Sequence, residues 1–193
     1  MESLNQDTFR LFFAFAHQSP FLDILIVFLA TYLPFLLIIG FLAFVFSRKD
    51  RRAGFFIFIE GLLAVIISRS IIAESISFFY NHPRPFVALD LSPLVYISGN
   101  SFPSAHAVIF FSVATTLYYF DKRLGGWFFL LAFVNGVSRI VAGVHWPLDI
   151  LGGIAVGILS GFIVHKLSES SWGKMERSMT APIPEPENSR LAN

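Results

Sequence analysis

A long run of apolar residues without a single charge, Ile24 to Phe46, constrains this chain more than any other feature of its sequence. A helix needs about 20 apolar residues to cross a hydrocarbon core that is about 30 Å thick. The run therefore predicts a transmembrane helix, and Pro34 inside it is expected to kink that helix, as membrane helices tolerate. Over the whole chain 55% of residues are hydrophobic and 14% are charged, which excludes an ordinary soluble domain and a disordered chain.

Further segments of the 193-residue chain have the length and composition of membrane helices. They are residues 54–80, 102–120, 124–144 and 146–164. The predicted fold class is therefore all-α, a polytopic membrane helix bundle with five transmembrane helices within residues 20–166. The 54–80 segment is too long for one crossing, so we expect it to extend past the outer boundary of the hydrocarbon.

The two ends of the chain are predicted to lie outside this bundle. Helical spacing near the amino terminus relates Leu4, Thr8, Leu11, Phe12 and Phe15. Residues 1–19 are too short to cross and therefore predict an interfacial helix. The alternative is a disordered polar start that merges into the first span. Residues 167–193 are rich in Ser, Glu and Pro without a hydrophobic period, which predicts a disordered cytoplasmic tail.

Lysine and arginine are distributed unevenly between the predicted loops. The loops after the first, third and fifth spans contain Arg48, Lys49, Arg51, Arg52, Lys122, Arg123, Lys166, Lys174 and Arg177. The opposite loops hold Arg10, Arg84 and Arg139. Because cytoplasmic loops carry the excess of positive charge, we expect a multi-pass protein of the cell (inner or cytoplasmic) membrane with its amino terminus outside. A net charge of +1 offers no basic field to a nucleic acid.

Nearly all side chains with useful chemistry lie at the outer ends of the predicted spans. They are His82, Arg84, Ser104, His106, Ser138, Arg139, His145 and Asp149. Polar groups are costly in a bilayer, so their gathering at one membrane face indicates a functional site. The chain has no cysteine, which excludes thiolate metal sites and cysteine nucleophiles.

Ser104 and His106 lie at the predicted start of the third span, just after Pro103. Proline is favoured at the first position of a helix. The amides of Ser104, Ala105 and His106 then lack intrahelical partners and carry the positive end of the helix dipole, which binds phosphate. His106 beside that anion can transfer a proton near neutral pH. The alternative is a plain helix start with a histidine at the interface.

His145 and Asp149 flank another predicted helix start, at Pro147. A carboxylate four residues after a histidine can orient one imidazole nitrogen and leave the other as a nucleophile or base. Alternatively, Asp149 only complements the helix dipole and caps backbone amides. That alternative does not explain why Arg139 lies close by in a chain so poor in polar residues.

Arg84 and Arg139 are the arginines of the outer face nearest to these histidines in sequence. Guanidinium groups bind phosphate oxygens bidentately, although snorkelling to lipid headgroups is an alternative. With two histidines and a helix end they predict a phosphoryl-transfer site. We expect the imidazoles of His106 and His145 to face each other across a gap of phosphate size, ringed by both arginines.

These residues resemble the three motifs of the type 2 phosphatidic acid phosphatase superfamily, over about residues 20 to 166. The first motif is lysine, six residues, then Arg-Pro, and its end matches Arg84-Pro85. The second is Pro-Ser-X-His and matches residues 103–106. The third is Ser-Arg, five residues, His, three residues, Asp, and matches Ser138, Arg139, His145 and Asp149.

One position departs from the family pattern, because Ser77 stands where the first motif has its lysine. Arg69 lies eight residues earlier on the same predicted helix, about 12 Å away at 1.5 Å per residue. It is therefore expected to be a poor substitute, and His82 or the two site arginines are expected to compensate. Glu74 is expected to pair with a site arginine, and Glu60 with the basic loop.

The resemblance implies a metal-independent phosphatase without a cofactor. His145 would attack phosphorus and form a phosphohistidine, Asp149 would orient it, and His106 would protonate the leaving oxygen and then activate water. The groups implied to hold the phosphoryl oxygens are Arg84, Arg139, Ser104 and the Ala105 amide. The accessory candidates are His82, Ser138 and Glu74.

The substrate class follows from the predicted position of the site at the lipid–water boundary, with almost no chain outside the bilayer. We expect a lipid phosphate, and small bacterial members of the family often act on polyprenyl diphosphate carriers at the extracytoplasmic face. Undecaprenyl diphosphate is therefore the leading expectation, and phosphatidic acid or phosphatidylglycerol phosphate is the alternative. Membrane lipids and the substrate are the expected partners, without an obligate protein partner. The alternative of another class, favoured by Ser77, is a non-catalytic transporter or scaffold with a degenerate phosphate site.

Overall fold

The structure of the protein is a computed structural model that describes residues 2–180 of the chain. Every regular element in that part of the chain is a helix. The helices are α1 (Glu2–Phe13), α2 (Pro20–Ser47), α3 (Arg51–Phe79), α4 (Pro85–Ala88), α5 (Ala105–Phe120), α6 (Lys122–Val141) and α7 (Pro147–Thr180). An all-helical fold is therefore confirmed for the described residues.

Four of these helices, namely α2, α3, α6 and the Pro147–Glu169 part of α7, are long and apolar enough to cross a membrane. The α5 helix has 16 residues, which is shorter than the roughly 20 residues that a crossing needs. The prediction of five transmembrane helices therefore depends on α5 and stays a prediction. Many large apolar side chains on the outer surface are exposed, such as Phe21, Ile39 and Phe133, as expected for helices that face lipid.

The α5 helix packs against α3, α6 and α7, and most of its side chains are buried. The α7 helix approaches it through Gly153, Gly157 and Gly161, spaced one turn apart. A Cβ atom on Gly157 would lie 2.6 Å from the main-chain oxygen of Val108. Small residues at such positions let two helix backbones come close together. This contact holds the start of α7 against the start of α5.

Both α2 and α3 contain a π-helical segment, at Phe28–Tyr32 and Ile66–Ala73 respectively. In α2 the cause is close by, because Pro34 has no N–H to donate to the carbonyl of Ala30, four residues earlier. That carbonyl instead accepts hydrogen bonds from the side chains of Asn135 (3.3 Å) and Arg139 (3.1 Å). The irregular turn before Pro34 therefore leaves a main-chain carbonyl that accepts hydrogen bonds from α6.

The amino-terminal helix α1 ends at Phe13 and packs on the start of α7. Phe9 is fully buried, with its ring centroid 5.1 Å from that of Trp146, and the Asn5 side-chain oxygen accepts the N–H of Leu148 (3.1 Å). Leu4 and Leu11, part of the predicted apolar stripe, point outward and are about 70% exposed. The helix exists as expected within residues 1–19, whereas its interfacial position stays a prediction.

The α7 helix continues to Thr180, which differs from the predicted disorder from residue 167 onward. A missing hydrophobic period does not by itself indicate disorder, because a helix can continue beyond a membrane span with polar residues. One local ion pair lies at the start of this part, since Lys166 is 2.9 Å from the Glu169 carboxylate. The remainder of the predicted tail, residues 181–193, lies outside the described residues.

Glu60 forms the polar contact between α3 and α7 at the end of the bundle remote from Pro147. It is 2% exposed, with one carboxylate oxygen 2.8 Å from Nδ1 of His165 and the other accepting the Ser168 hydroxyl at 2.6 Å. The ring of His165 also stacks on Tyr119, with centroids 3.7 Å apart. The predicted pairing of Glu60 with the basic loop is therefore wrong, because a partner on a packed helix satisfies the buried carboxylate.

Candidate active site

A cavity of about 340 Å³ lies between the starts of α5 and α7, the end of α6 and the outer part of α3. The residues of the predicted site that line it are Arg84, Ala105, His106, Arg139, His145 and Glu74. Both histidines and both arginines thus border one space although they are far apart in sequence. The structure brings these groups together, and their chemical roles stay predictions.

His145 precedes α7 and is 2% exposed. Its Nδ1 lies 3.4 Å from the Asp149 carboxylate, and its Nε2 lies 3.4 Å from Nη1 of Arg84. A proton on Nδ1 facing the carboxylate leaves the lone pair on Nε2, the nitrogen on the arginine side. The imidazole is therefore oriented as a nucleophile requires.

Asp149 is fully buried in the first turn of α7 and accepts hydrogen bonds from the Trp146 N–H (2.7 Å) and the Ser101 hydroxyl (2.5 Å). Ser101 also lies 3.4 Å from Nδ1 of His145. The same carboxylate therefore caps the start of the helix and faces the imidazole of His145, and its role in orienting that imidazole stays a prediction.

Burial lowers the pKa of His145 to about 4, and the carboxylate of Asp149 opposes this shift. A buried imidazole loses more from desolvation of its charged form than it gains from one partner. His145 is therefore neutral at neutral pH, which is the form that has a lone pair to attack phosphorus.

The guanidinium of Arg84 is held by main-chain oxygens of two loops. Its nitrogens donate to the carbonyls of residues 98–100 and of Val144 at 2.9 to 3.4 Å. Burial lowers the pKa of Arg84 and the charge of Asp149 opposes this, while an arginine stays protonated in proteins. The charge is therefore fixed in place by the main chain, and the Nη1 group of Arg84 lies beside Nε2 of His145.

Arg139, near the end of α6, is anchored on one side only. Its Nη1 donates to the carbonyl of Ala30 (3.1 Å), whereas its Nε is buried and has no hydrogen-bond partner among the described residues. A buried, unpaired donor is costly, which suits a group that binds an anion. The neighbouring Ser138 donates to the carbonyl of Asn135 (2.7 Å) and does not line the cavity.

The start of α5 differs in detail from its prediction. The helix begins at Ala105, with Ser104 as the N-cap residue, and the Ser104 N–H donates to the main-chain oxygen of Asp149 (3.0 Å). The prediction that the Ser104 amide is free is therefore wrong, because α7 packs close enough for the main-chain oxygen of Asp149 to accept its N–H. Ala105 and His106 occupy the first turn and line the cavity, where α-helical amides have no intrahelical partner.

The Ser104 hydroxyl is fully buried and has no hydrogen-bond partner within residues 2–180. His82 does not line the cavity, and its Nδ1 lies 3.4 Å from the second oxygen of Asp149 while its ring stacks on Tyr80. Asp149 therefore lies between two imidazoles, those of His82 and His145.

Sequence reasoning missed Ser101 and Asn100 and dismissed Arg69. The only sequence signal for the first two is that they are polar residues just before the second motif. The Asn100 side chain donates to the carbonyl of Ser77 (2.8 Å), which ties that loop to α3. Arg69 lines the cavity and pairs with Glu74, its Nη1 2.5 Å from the carboxylate, because the cavity extends along α3. The predicted pairing of Glu74 with one of the site arginines, Arg84 or Arg139, is therefore replaced by Arg69.

Known proteins resemble this chain in sequence and in fold. A family model described as the PAP2 superfamily matches residues 58–172. The Bacitracin transport permease protein BcrC of Bacillus licheniformis is 31% identical over 163 residues, which cover 83% of this chain and 79% of that protein. Undecaprenyl-diphosphatase BcrC of Bacillus subtilis (strain 168) is 26% identical, covering 86% and 85%. The crystal structure of Aquifex aeolicus LpxE superimposes with a TM-score of 0.71 at 31% identity, covering 84% of this chain and 95% of that chain.

Proposed function

Because this chain belongs to the PAP2 superfamily, we propose that it is an integral-membrane lipid phosphatase that removes the terminal phosphate of undecaprenyl diphosphate. The observation that carries the proposal is the common cavity of His106, His145, Arg84 and Arg139. The name of the Bacillus subtilis relative, undecaprenyl-diphosphatase, supports the choice of substrate.

In the first proposed step, Nε2 of His145 attacks the terminal phosphorus. A phosphorus–nitrogen bond forms while the bond to the bridging oxygen breaks, and His106 donates a proton to that leaving oxygen. The Asp149 carboxylate stabilises the positive charge that develops on the imidazole. The products of this step are the lipid monophosphate and a phosphohistidine at position 145.

In the second proposed step, His106 removes a proton from a water molecule that attacks the phosphohistidine. The phosphorus–nitrogen bond breaks, inorganic phosphate leaves, and both imidazoles return to their starting forms. Arg84, Arg139 and the first-turn amides of α5 stabilise the charge on the phosphoryl oxygens. Arginines and a helix end thus supply the positive charge that a divalent metal supplies in other phosphoryl-transfer sites.

A second cavity, of about 320 Å³, supports a lipid as the substrate. It lies between α2, α3 and α5, and its lining residues are Leu37, Ile38, Phe41, Leu42, Phe58, Gly61, Leu62, Val65, Ile109, Phe110 and Val113. The ring of Phe110 lies 6.1 Å from that of His106. An apolar space beside the polar site suits a molecule with a phosphate head and a hydrocarbon tail, and we assign it to the tail.

The proposed orientation places the cavity on the extracytoplasmic side of the cell membrane. It rests on the basic residues that follow α2, α5 and the membrane-spanning part of α7, such as Arg48, Lys122 and Lys166. In that orientation the site meets lipid carriers after extracytoplasmic synthesis has released them as diphosphates.

The test is phosphate release by the purified full chain from undecaprenyl diphosphate in the presence of EDTA. We expect turnover by the wild type and a loss of at least about 1,000-fold for His145→Ala, as for other catalytic nucleophiles. His17→Ala serves as the control, since His17 is an exposed histidine that does not line the cavity. Absence of wild-type turnover, or activity retained by His145→Ala, contradicts the proposal. Faster turnover of phosphatidic acid or phosphatidylglycerol phosphate favours the glycerolipid alternative.

Transport is the second candidate function, favoured by the name of the Bacillus licheniformis relative, a transport permease protein. A permease moves its cargo whether or not residue 145 can be phosphorylated. Labelled bacitracin should therefore cross proteoliposomes that contain His145→Ala if transport is the activity. We expect no protein-dependent flux with either the wild type or this variant.

A further inference from the structure

The cavity of the candidate site contains an ion pair that the proposed mechanism does not use. Arg69 and Glu74 line the same cavity as His106 and His145, with Nη1 of Arg69 2.5 Å from the carboxylate of Glu74. Both residues lie on α3, inside a predicted membrane span. Ionisable residues at such positions are rare and usually mark a path or site for a polar ligand.

The backbone of α3 is built so that this pair faces the cavity. Arg69 belongs to the π-helical segment Ile66–Ala73, and the N–H of Glu74 donates to the carbonyl of Arg69, five residues earlier. In a regular α-helix, side chains three or four residues apart are neighbours, whereas those five apart are not. The wider turn therefore brings Arg69 and Glu74 to the side that Ser77 also lines. Such π-helical turns occur frequently at functional sites.

The pair is accessible to a ligand, since the side chain of Arg69 is 37% exposed and that of Glu74 is 64% exposed. The other arginines of the cavity, Arg84 and Arg139, flank the histidines and are buried. Within the described residues Arg69 is the cation that α3 contributes to the lining, where Ser77 provides none. The cavity is therefore lined by two buried arginines and by one partly exposed arginine on α3.

We propose that Arg69 binds the second phosphoryl group of a lipid diphosphate, the one attached to the hydrocarbon tail. This proposal rests on the proposed function, and it narrows the substrate class to diphosphates. Glu74 holds the guanidinium in position while the site is empty, and the phosphoryl oxygens replace the carboxylate when substrate binds, since guanidinium binds both groups bidentately.

The proposed positions follow the order of groups in such a lipid. The terminal phosphoryl group lies at His145, and the attached phosphoryl group lies at Arg69. Val65, one turn before Arg69 on α3, lines the apolar cavity assigned to the tail. A lipid monophosphate fills the position at His145 and leaves the position at Arg69 empty.

The experiment compares two ligands with the same tail, farnesyl diphosphate and farnesyl monophosphate, on the full-length protein. Removing the guanidinium alone would leave an unpaired carboxylate that repels phosphate, so the main variant is Arg69→Ala with Glu74→Gln. We expect kcat/KM for the diphosphate to fall about 10- to 100-fold, mostly through KM, as loss of a charge-assisted contact predicts. The kcat/KM for the monophosphate should change less than about threefold. If the wild type does not hydrolyse the monophosphate, its inhibition constant replaces kcat/KM.

Two further variants make the result specific. Arg69→Lys keeps the charge and loses the bidentate geometry, so kcat/KM for the diphosphate should fall about 3- to 10-fold. This variant replaces the double variant if the double variant does not fold. Arg84→Ala, in the part of the cavity that contains His145, should reduce kcat/KM for the diphosphate and for the monophosphate. Equal losses for both ligands in the Arg69 variants, or no loss for the diphosphate, would overturn the assignment of Arg69. A wild type that neither hydrolyses nor binds either ligand would instead overturn the proposed function.

Discussion

Asp149 has a fully buried carboxylate that lies close to polar groups of four other residues, including the imidazoles of His82 and His145. It accepts the Trp146 N–H and the Ser101 hydroxyl and lies 3.4 Å from Nδ1 of His145. In Asp149→Asn the side chain keeps its shape but cannot stabilise an imidazolium. We expect kcat to fall about 10²- to 10⁴-fold, as for the corresponding change in serine-protease triads, measured as phosphate release by purified protein.

Ser101→Ala is the matched control for this change, since it removes a neutral donor to the same carboxylate. A single hydrogen bond contributes about 1 kcal/mol, so a loss of about tenfold or less is expected. If Ser101→Ala and Asp149→Asn reduce kcat equally, the negative charge is not what orients His145.

The low pKa of His145 makes stability depend on pH in a defined direction. Between about pH 4 and 6.5 this histidine is neutral in the folded protein and protonated in the unfolded chain. Because the unfolded state binds more protons, the free energy of unfolding falls as the pH is lowered through this range. The contribution is at most about 1.4 kcal/mol per pH unit. Thermal unfolding in detergent from pH 7 to pH 4.5 should therefore show a steeper decline for the wild type than for His145→Gln, and parallel declines would contradict the shift.

At the residue scale, motif spacing predicted that His106, Arg139 and His145 border one cavity, because each lies at or next to a helix end. It did not predict Ser101, since the loop that carries it has no periodic pattern and its position depends on contacts with α7. The distance of Arg69 from Ser77 along a regular helix does not indicate whether Arg69 reaches the site. The relevant quantity was its position relative to a cavity, which a π-helical turn determines.

At the scale of the helices, the site depends most directly on the contact between α5 and α7. In Gly157→Ala a methyl group would lie 2.6 Å from the Val108 oxygen and 2.9 Å from Cβ of Phe111. Overpacking of this kind costs about 1 to 3 kcal/mol. We therefore expect a lower melting temperature and a lower kcat, since the two helix starts that hold His106 and Asp149 move apart.

Gly126→Ala, on α6, provides the control for this prediction. A Cβ atom there meets no atom within 4 Å, and the residue is exposed. Its melting temperature should stay the same or rise slightly, because alanine restricts the unfolded chain more than glycine does. Equal destabilisation by both substitutions would mean that loss of glycine itself, rather than the close approach of α5, is responsible.

At the element scale, hydropathy predicted the long helices well, because length and apolar character are local properties of the sequence. The ends and irregular turns of the helices are less predictable, because contacts between helices determine them. Pro34 indicated an irregular turn in α2, but the hydrogen bonds that stabilise it come from α6. The end of α7 was placed too early, since composition alone does not distinguish a polar helix from a disordered segment.

Over the whole molecule, two buried polar clusters lie toward opposite ends of α7. His145 and Asp149 lie at its start. His165, whose partner is Glu60 of α3, lies 18 residues beyond Pro147, about 27 Å along the helix. This separation is close to the thickness of a hydrocarbon core. The two clusters therefore define the two faces of the bundle.

The orientation of these faces can be tested directly, because the chain has no cysteine. Asn81→Cys and Lys122→Cys each place one thiol at an exposed position, on the site face and on the opposite face respectively. An impermeant maleimide added to spheroplasts should label the first variant and spare the second. Labelling of the second variant alone would reverse the proposed orientation and place the cavity in the cytoplasm.

The anchoring of Arg139 has a consequence for sequence change in the first membrane helix. The atoms that receive Asn135 and Arg139 there are carbonyl oxygens of Leu29 and Ala30, which every amino acid possesses. These hydrogen bonds therefore require no particular side chain at residue 29 or 30, and Arg139 keeps its support from the main chain of Ala30. Replacement of Pro34 would instead affect Arg139, because a residue with an N–H at that position can compete for the Ala30 carbonyl.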